Sequence, residues 1–225
     1  MFDQYKLVMF DCDGTLIDSE YLYNRVLSKL LIKDGYSEYS VDRCCELFAG
    51  TSYDYVKNYM IANMPDINQV KFQARFEKKA IDEAIAHLKS IDGVEEVLTA
   101  LSAKKKCIVT NGEKNVIDFT LKVTKLDRFF EKDQLFSCEM AERSKPYPDL
   151  YQLAARQNGV LESECITIED TVIGAKASIS AGIKTIGFIK SHRLDKHYAS
   201  KLKQDMQAAG VYAVIEDMRD YLKFL

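Results

Sequence analysis

The fold is decided by the stretch Leu7-Val8-Met9-Phe10-Asp11-Cys12-Asp13-Gly14-Thr15. Four apolar residues followed by Asp and Gly predict a buried strand that ends in a tight turn. On extended backbone the side chains of Asp11 and Asp13 point the same way, while Cys12 points back into the fold. Two carboxylates at the carboxyl end of a strand suit a cation-bound nucleophile with a second carboxyl group beside it. The alternative is that Asp and Gly merely end the strand, because Asp caps turns and Gly accepts a positive φ.

The composition is that of an ordinary globular protein. The chain has 225 residues, of which 47% are hydrophobic and 29% charged, and can bury a substantial core. Its apolar runs are short and its N-terminus lacks a signal-peptide pattern, so we expect a cytoplasmic protein with no membrane partner. The formal net charge of −3 argues against a nucleic-acid partner, so an anionic substrate needs local groups and a metal. The six cysteines form no C-x-x-C pair, and we expect free thiols.

Two kinds of pattern divide the chain. Between residues 19 and 88 helical spacing recurs and no strand is predicted. After Ile91-Asp92-Gly93, strands and helices alternate as far as Phe224. This alternation predicts a mostly parallel sheet covered by helices on both faces, with the all-helical segment as a separate lobe.

Within the lobe, helices are predicted over 20–34, after Ser40, after Ser52 and over 68–88. The last of these carries a predicted apolar face made of Ile81, Ala84, Ile85 and Leu88. The adjacent Cys44 and Cys45 lie in a helical pattern and are expected to be packing residues. Beyond residue 93, strands are predicted over 106–110, 135–137, 165–168, 184–189 and 213–215. Helices are predicted over 94–103, 116–123, from Pro148 to near Gly159, and over 174–181, 195–209 and 218–224.

Polar residues that suit the site at Asp11 follow three later strands. In chain order they are Thr110, Asn111 and Gly112, then Lys145 before Pro146, then Glu169 and Asp170. Each has an ordinary alternative: Thr110 as a helix cap, Lys145 as a solvated charge, and the pair Glu169-Asp170 at a helix N-terminus. Their order, each after a predicted strand, indicates that they converge on one site.

This set resembles the four ordered motifs of the haloacid dehalogenase superfamily. The matching motifs are Asp11-Cys12-Asp13-Gly14-Thr15, Thr110-Asn111, Lys145-Pro146 and Glu169-Asp170, and they span essentially the whole chain. The helical lobe resembles the cap of the branch that contains beta-phosphoglucomutase and small sugar phosphatases. The segment Phe136-Ser137 before Lys145-Pro146-x-Pro148-Asp149 also resembles bacterial 6-phosphogluconate phosphatases. The resemblance implies an α/β fold: a catalytic Rossmann-like parallel-sheet core of residues 1–18 and 89–225, with an inserted α-helical cap domain of residues 19–88 that sets specificity.

The resemblance also implies a magnesium-dependent phosphatase acting on a small phosphorylated metabolite, such as a sugar phosphate or phosphosugar acid. Asp11 would be the nucleophile that forms an aspartyl-phosphate, and Asp13 the general acid and then the general base. Thr110 and Lys145, with the amides of Cys12 and Asp13, would hold the phosphoryl oxygens.

The implied magnesium ligands are Asp11, the backbone carbonyl of Asp13 and Asp170. Glu169 is either a further ligand or an outer-shell acid that orients a water.

Two further groups are candidates for substrate contacts. Asn111 and Gly112 open a helix whose first amides can face an anion. The small polar loop Gly50-Thr51-Ser52 could contact the leaving group, or it is an ordinary turn with Ser52 as a helix N-cap.

Two other functions stay open. Beta-phosphoglucomutase carries a His where this chain has Tyr23, which argues against mutase chemistry. A catalytically silent metabolite-binding regulator predicts a broken motif, and none is broken. An enzyme of this kind could function as a monomer.

Overall fold

The computed structural model of the chain describes residues 5–48, 51, 53–189 and 196–225, without side chains for residues 196 and 197. Gly50 and Ser52 of the predicted polar loop, and Asp195 at the predicted start of a helix, lie outside the described residues. The chain divides into two compact units. Unit 1 comprises Met1–Ile17 and Ser90–Leu225, and unit 2 comprises Asp18–Lys89.

Unit 1 is built on a six-stranded, entirely parallel sheet, which confirms the predicted fold class. The strands are β1 (Leu7–Phe10), β2 (Lys106–Val109), β3 (Leu135–Phe136), β4 (Cys165–Glu169), β5 (Lys184–Phe188) and β6 (Ala213–Ile215). Nearly every strand residue is buried, as expected for a parallel sheet covered on both faces.

The order of the strands across the sheet is β3-β2-β1-β4-β5-β6. The chain first builds outward from β1 on one side and then crosses back to build outward from β4 on the other. The carboxyl ends of β1 and β4 therefore flank the point where the winding reverses, which is where open α/β sheets bind ligands.

Helices cover both faces of this sheet. In unit 1 they are α5 (Val94–Ala100), α6 (Lys114–Thr124), α7 (Asp149–Gln157), α8 (Val172–Ser180) and α9 (Lys196–Ala209). Met9 belongs to a buried cluster that includes residues of α7 and α8. Phe10, which points to the opposite face, meets the ring of Tyr221 edge-on with centroids 5.7 Å apart.

Unit 2 is all-helical over its described residues. Its helices are α1 (Ser19–Lys33), α2 (Val41–Phe48), α3 (Tyr53–Asn63) and α4 (Gln69–His87). Ser40 accepts a hydrogen bond from the amide of Arg43 at 3.2 Å and so caps α2, as predicted. The unit has its own core, in which Leu31, Met60 and Phe72 are fully buried.

One prediction of local structure, the apolar face of α4, is wrong in part. Ile81 and Ile85, placed on the apolar face of α4, are 48% and 64% exposed, whereas Glu83 is buried. Ala84 and Leu88 of the predicted face are buried, and the buried stripe of α4 also includes Phe72 and Ala80. The C-terminal segment Met218–Phe224 is helical, as predicted, and its helix is of the 3-10 type. Over the residues described, no helix is both long and apolar enough to cross a membrane.

Candidate active site

Three of the predicted site residues lie at the carboxyl ends of the three central strands, β2, β1 and β4. Asp11 directly follows β1, Thr110 directly follows β2, and Glu169 is the last residue of β4. Phe10 is paired with Ile108 on one side and with Ile168 on the other. One residue further on, Asp11 is therefore level with Val109 and Glu169.

The side chain of Lys145 connects the ends of these three strands. Its Nζ donates hydrogen bonds to Asp11 Oδ1 at 2.6 Å, to the Val109 carbonyl at 2.7 Å and to Glu169 Oε1 at 2.6 Å. An ammonium has three donors, so all of them are engaged. Burial disfavours the charge, but Asp11 and Glu169 outweigh it and hold the pKa of Lys145 well above its ordinary value. Lys145 is therefore a fixed buried cation, not the solvated charge of the ordinary alternative.

Asn111 holds the backbone that carries this lysine. Its side-chain Oδ1 accepts from the Lys145 amide at 2.9 Å, and its Nδ2 donates to the Lys145 carbonyl at 3.2 Å. This paired contact joins the loop after β2 to the loop after β3. The side-chain amide of Asn111 thus positions Lys145, and both of its polar atoms are hydrogen-bonded to the Lys145 backbone.

Glu169 is fully buried, and its two carboxylate oxygens differ in their hydrogen bonds. Oε1 accepts hydrogen bonds from both Lys145 Nζ and the Tyr151 hydroxyl. Oε2 is buried and has no hydrogen-bond partner among the described residues. Burial raises the pKa of Glu169 to about 7, with Lys145 opposing the rise and Asp11 adding to it. A buried, unpartnered carboxylate oxygen is a site for a cation or a proton.

Two glycines make room for the carboxylates. A Cβ on Gly174, near the start of α8, would lie 2.0 Å from Glu169 Oε2. A Cβ on Gly14 would lie 1.9 Å from Asp170 Oδ2, and Gly14 also has a φ of +81°. The buried Thr15 hydroxyl donates to Asp170 Oδ1 at 3.2 Å. Close approach therefore requires glycine at both positions, and at Gly14 the positive φ requires it as well.

The acidic group fits a hard divalent cation. Asp11, Glu169 and Asp170 each offer an oxygen, and these oxygens lie within 4.8 Å of one another. Lys145 pairs with two of these carboxylates, Asp11 and Glu169. An all-oxygen donor set with an unpartnered buried oxygen is the chemistry that Mg²⁺ prefers.

The remaining predicted site residues of unit 1 differ in burial and in the contacts that they make. Thr110 is buried, and its Oγ1 accepts from the Gly112 amide at 3.0 Å, so its hydroxyl proton is available to a ligand. Cys12 is fully buried, and burial, reinforced by Asp13 and Asp11, raises the pKa of its thiol well above the usual range. Asp13 is half-buried and bridges to Ile17 through its backbone.

Thr51 belongs to unit 2, where its hydroxyl donates to the Phe48 carbonyl at 2.8 Å and closes the end of α2. All six cysteines are free.

Sequence reasoning missed Tyr151. It lies in the first turn of α7, is fully buried, and its ring centroid is 5.2 Å from Lys145 Nζ. One signal was available: the hydroxyl of a buried tyrosine usually has a hydrogen-bond partner. Nothing in the spacing says that the partner is Glu169.

The comparisons with known proteins agree with this geometry. The family model described as haloacid dehalogenase-like hydrolase matches residues 8–188. The 6-phosphogluconate phosphatase of Escherichia coli K12 is 30% identical over 189 residues, which cover 81% of this chain and 82% of that protein. A haloacid dehalogenase-like protein of unknown function from Agrobacterium tumefaciens C58 superposes with a TM-score of 0.83 at 30% identity, covering 98% of this chain and 97% of its own.

A hydrolase of the same family from Deinococcus radiodurans R1, solved with bound phosphate and sodium, superposes with a TM-score of 0.79 at 25% identity. The match covers 99% of this chain and 96% of that one. The family model spans more than half of the chain, and its match includes every motif at the sheet edge. The chain therefore belongs to the haloacid dehalogenase-like hydrolases.

Proposed function

We propose that this hydrolase is a magnesium-dependent phosphatase of a small phosphorylated metabolite, of the sugar phosphate or phosphosugar acid class, acting through an aspartyl-phosphate on Asp11. The observation that carries the proposal is the state of the Asp11 carboxylate. Lys145 fixes Oδ1, and no hydrogen bond from the described residues engages Oδ2. The side chain is 11% exposed, so a ligand can reach it. A carboxylate held by one oxygen is oriented for attack with the other.

The relatives support the substrate class. The E. coli relative is named a 6-phosphogluconate phosphatase, and the Deinococcus neighbour holds phosphate. Hydrolysis of a phosphate monoester requires a barrier reduction of about 20 kcal/mol. Dividing the reaction into two displacements is one way to achieve this.

In the first step, Asp11 Oδ2 attacks phosphorus in line with the leaving oxygen. The bond from phosphorus to the metabolite oxygen breaks, and Asp13 donates a proton to the departing alkoxide. In the second step, water attacks the phosphorus of the aspartyl-phosphate while Asp13 accepts its proton. Inorganic phosphate leaves, and the Asp11 carboxylate is restored.

Other residues orient these groups. Lys145 keeps Asp11 in place and offsets part of the acidic charge, although a phosphate oxygen would have to displace one of its three present acceptors. The Thr110 hydroxyl, which accepts from the Gly112 amide, is left to donate to a phosphoryl oxygen.

The carboxylates of Asp11 and Asp170 and the backbone carbonyl of Asp13 would hold Mg²⁺, with Glu169 either as a ligand or through a water. When bound, the cation supplies the positive charge that lets an anionic phosphate approach an anionic carboxylate.

Phosphate release from a panel of phosphomonoesters tests the proposal. The panel should include 6-phosphogluconate, sugar 1- and 6-phosphates, phosphoglycolate and nucleotides, each with and without Mg²⁺. We expect Mg²⁺-dependent release by the wild type and by the control Asp118→Asn, which changes an exposed acid of α6. We expect none from Asp11→Asn, because an amide cannot act as the nucleophile.

The same panel separates the alternatives. Isomerisation of beta-glucose 1-phosphate without phosphate release would identify a mutase. Binding of a metabolite with no turnover of any substrate would identify a regulator. Wild-type rates in Asp11→Asn would show that the nucleophile is another group.

A further inference from the structure

Tyr151 is tied to both charged groups that surround Asp11. Its hydroxyl donates to Glu169 Oε1, and its ring lies 5.2 Å from Lys145 Nζ, within cation–π range. Tyr151 and Lys145 lie on one short segment, the loop and first turn of α7. Because the helix backbone fixes Tyr151, the contact can restrict where both partners lie.

The distribution of hydrogen bonds on Glu169 is unusual for a merely satisfied buried acid. Two donors, Lys145 Nζ and the Tyr151 hydroxyl, share Oε1, and Oε2 has none among the described residues. The space around Oε2 exists only because residue 174 is glycine. The protein therefore concentrates its donors on one oxygen and leaves the other buried, beside Gly174, with no hydrogen-bond partner among the described residues.

The fold does not require every buried tyrosine hydroxyl to be paired. Tyr221 is fully buried in the same unit, and its hydroxyl has no partner among the described residues. The hydrogen bond of Tyr151 is thus specific to this site, because the core also accommodates a buried tyrosine whose hydroxyl is not hydrogen-bonded to any described residue.

We propose that Tyr151 is a positioning residue: by holding Oε1 of Glu169 and the ammonium of Lys145, it keeps the Glu169 carboxylate oriented for the cation and Lys145 on Asp11. The inference rests on the proposed function for its catalytic consequence. Its consequence for the affinity of the protein for Mg²⁺ does not depend on which substrate is hydrolysed.

The test compares Tyr151→Phe with Tyr221→Phe, which removes the same atom from an equally buried ring. Calorimetric titration with Mg²⁺ alone measures affinity, and circular dichroism checks that each variant is folded. Loss of an outer-shell partner typically weakens metal binding by about 10- to 100-fold. We expect Tyr151→Phe to bind Mg²⁺ at least about tenfold more weakly and to lose kcat by a similar factor, with KM for the substrate changed less than about twofold. Tyr221→Phe should match the wild type in all three.

A double variant separates positioning from a general loosening of the core. If Tyr151 acts through Glu169, the change Tyr151→Phe should have little further effect on Mg²⁺ affinity in a Glu169→Gln background. Mg²⁺ binding by Tyr151→Phe equal to that of the wild type, additive losses in the double variant, or a wild type that binds no Mg²⁺ would each overturn the proposal. Weakened binding by Tyr151→Phe in a protein that hydrolyses nothing would support it while rejecting the phosphatase function.

Discussion

The two units each contain a cluster of buried charge, and the clusters are opposite in composition. In unit 1 one cation, Lys145, serves two carboxylates, Asp11 and Glu169. In unit 2 one carboxylate, Glu83, serves four basic side chains: Arg25 at 2.6 Å, Lys29 at 3.3 Å, and Lys79 and His87 at 3.7 Å.

The difference lies in where the excess charge is placed. The basic side chains around Glu83 are 31% to 59% exposed, so water solvates their surplus positive charge. The Asp11 and Glu169 side chains are 11% and 0% exposed, and their surplus negative charge is removed from water. Only a proton or a cation can relieve it. The cluster at Glu83 is therefore suited to stability, and the cluster at Lys145 to binding and reaction.

Replacing Lys145, the buried ammonium of unit 1, should have the largest effect, and that effect is on the rate of phosphate release. Lys145→Met preserves an apolar stem of similar length but leaves Asp11 without its orienting donor and raises the pKa of Glu169 further, because Lys145 lowers it. We expect kcat for phosphate release to fall at least about 100-fold at saturating Mg²⁺. Steady-state kinetics measure this, with the exposed Lys176→Met of α8 as the matched control. A rate within about fivefold of the wild type would show that the ammonium is dispensable.

Displacing the Glu169 carboxylate without changing any charge should have the second-largest effect, which is on stability and on Mg²⁺ affinity. Gly174→Ala places a Cβ 2.0 Å from Glu169 Oε2, so the carboxylate must shift. Alanine normally stabilises a helix relative to glycine by about 1 kcal/mol, whereas overpacking costs about 1 to 3 kcal/mol. We therefore expect lower free energy of unfolding in urea and weaker Mg²⁺ binding. The exposed Ser180→Ala on the same helix should alter neither quantity. An equally stable Gly174→Ala protein with unchanged Mg²⁺ affinity would mean that Glu169 is not confined by this helix.

Removing the acid of unit 2 should have the smallest effect. Glu83→Gln leaves the basic side chains without their shared partner, and we expect the free energy of unfolding to fall by about 1 kcal/mol at neutral pH. Burial alone would raise the pKa of Glu83, but Lys29, with Arg25 and Lys79, holds it below the usual range. Because the pKa of the folded state is the lower one, the advantage of the wild type is present above the unfolded-state pKa of about 4.3. It disappears as the pH falls through the folded-state pKa.

Urea unfolding of both proteins at neutral pH and at a series of acidic pH values measures this difference. Glu77→Gln, an exposed acid of the same helix, is the control and should change stability by less than about 0.5 kcal/mol. A difference that persists at the lowest pH, or that is absent at neutral pH, would contradict the role assigned to Glu83.

The contrast between the clusters also explains what the sequence could predict. The strands of unit 1 are short apolar runs bounded by polar residues, so the ends of β1, β2 and β4 could be predicted to within a residue. Asp11, Thr110, Glu169 and Asp170 follow from those ends, because parallel strands present their carboxyl termini at one edge.

Contacts between elements could not be predicted in the same way. Ile81 and Ile85 were placed inside unit 2 because apolar spacing is read one helix at a time, while the burial of Glu83 depends on basic residues of another helix, α1. The role of Tyr151 likewise depends on how α7 packs against β4, and no spacing along the chain encodes that distance. The sequence therefore located the side chains that gather at the sheet edge better than the side chains that contact and orient them.

Trapping the phosphorylated protein tests the role of Asp11 most directly. Wild-type protein is quenched in acid during turnover of the best substrate of the panel and reduced with borohydride, which converts an aspartyl-phosphate into homoserine. Peptide mass spectrometry should find homoserine at position 11, and only in samples that received both substrate and Mg²⁺. Homoserine at a different position, or continued turnover with position 11 unmodified, would contradict a phosphatase that acts through Asp11.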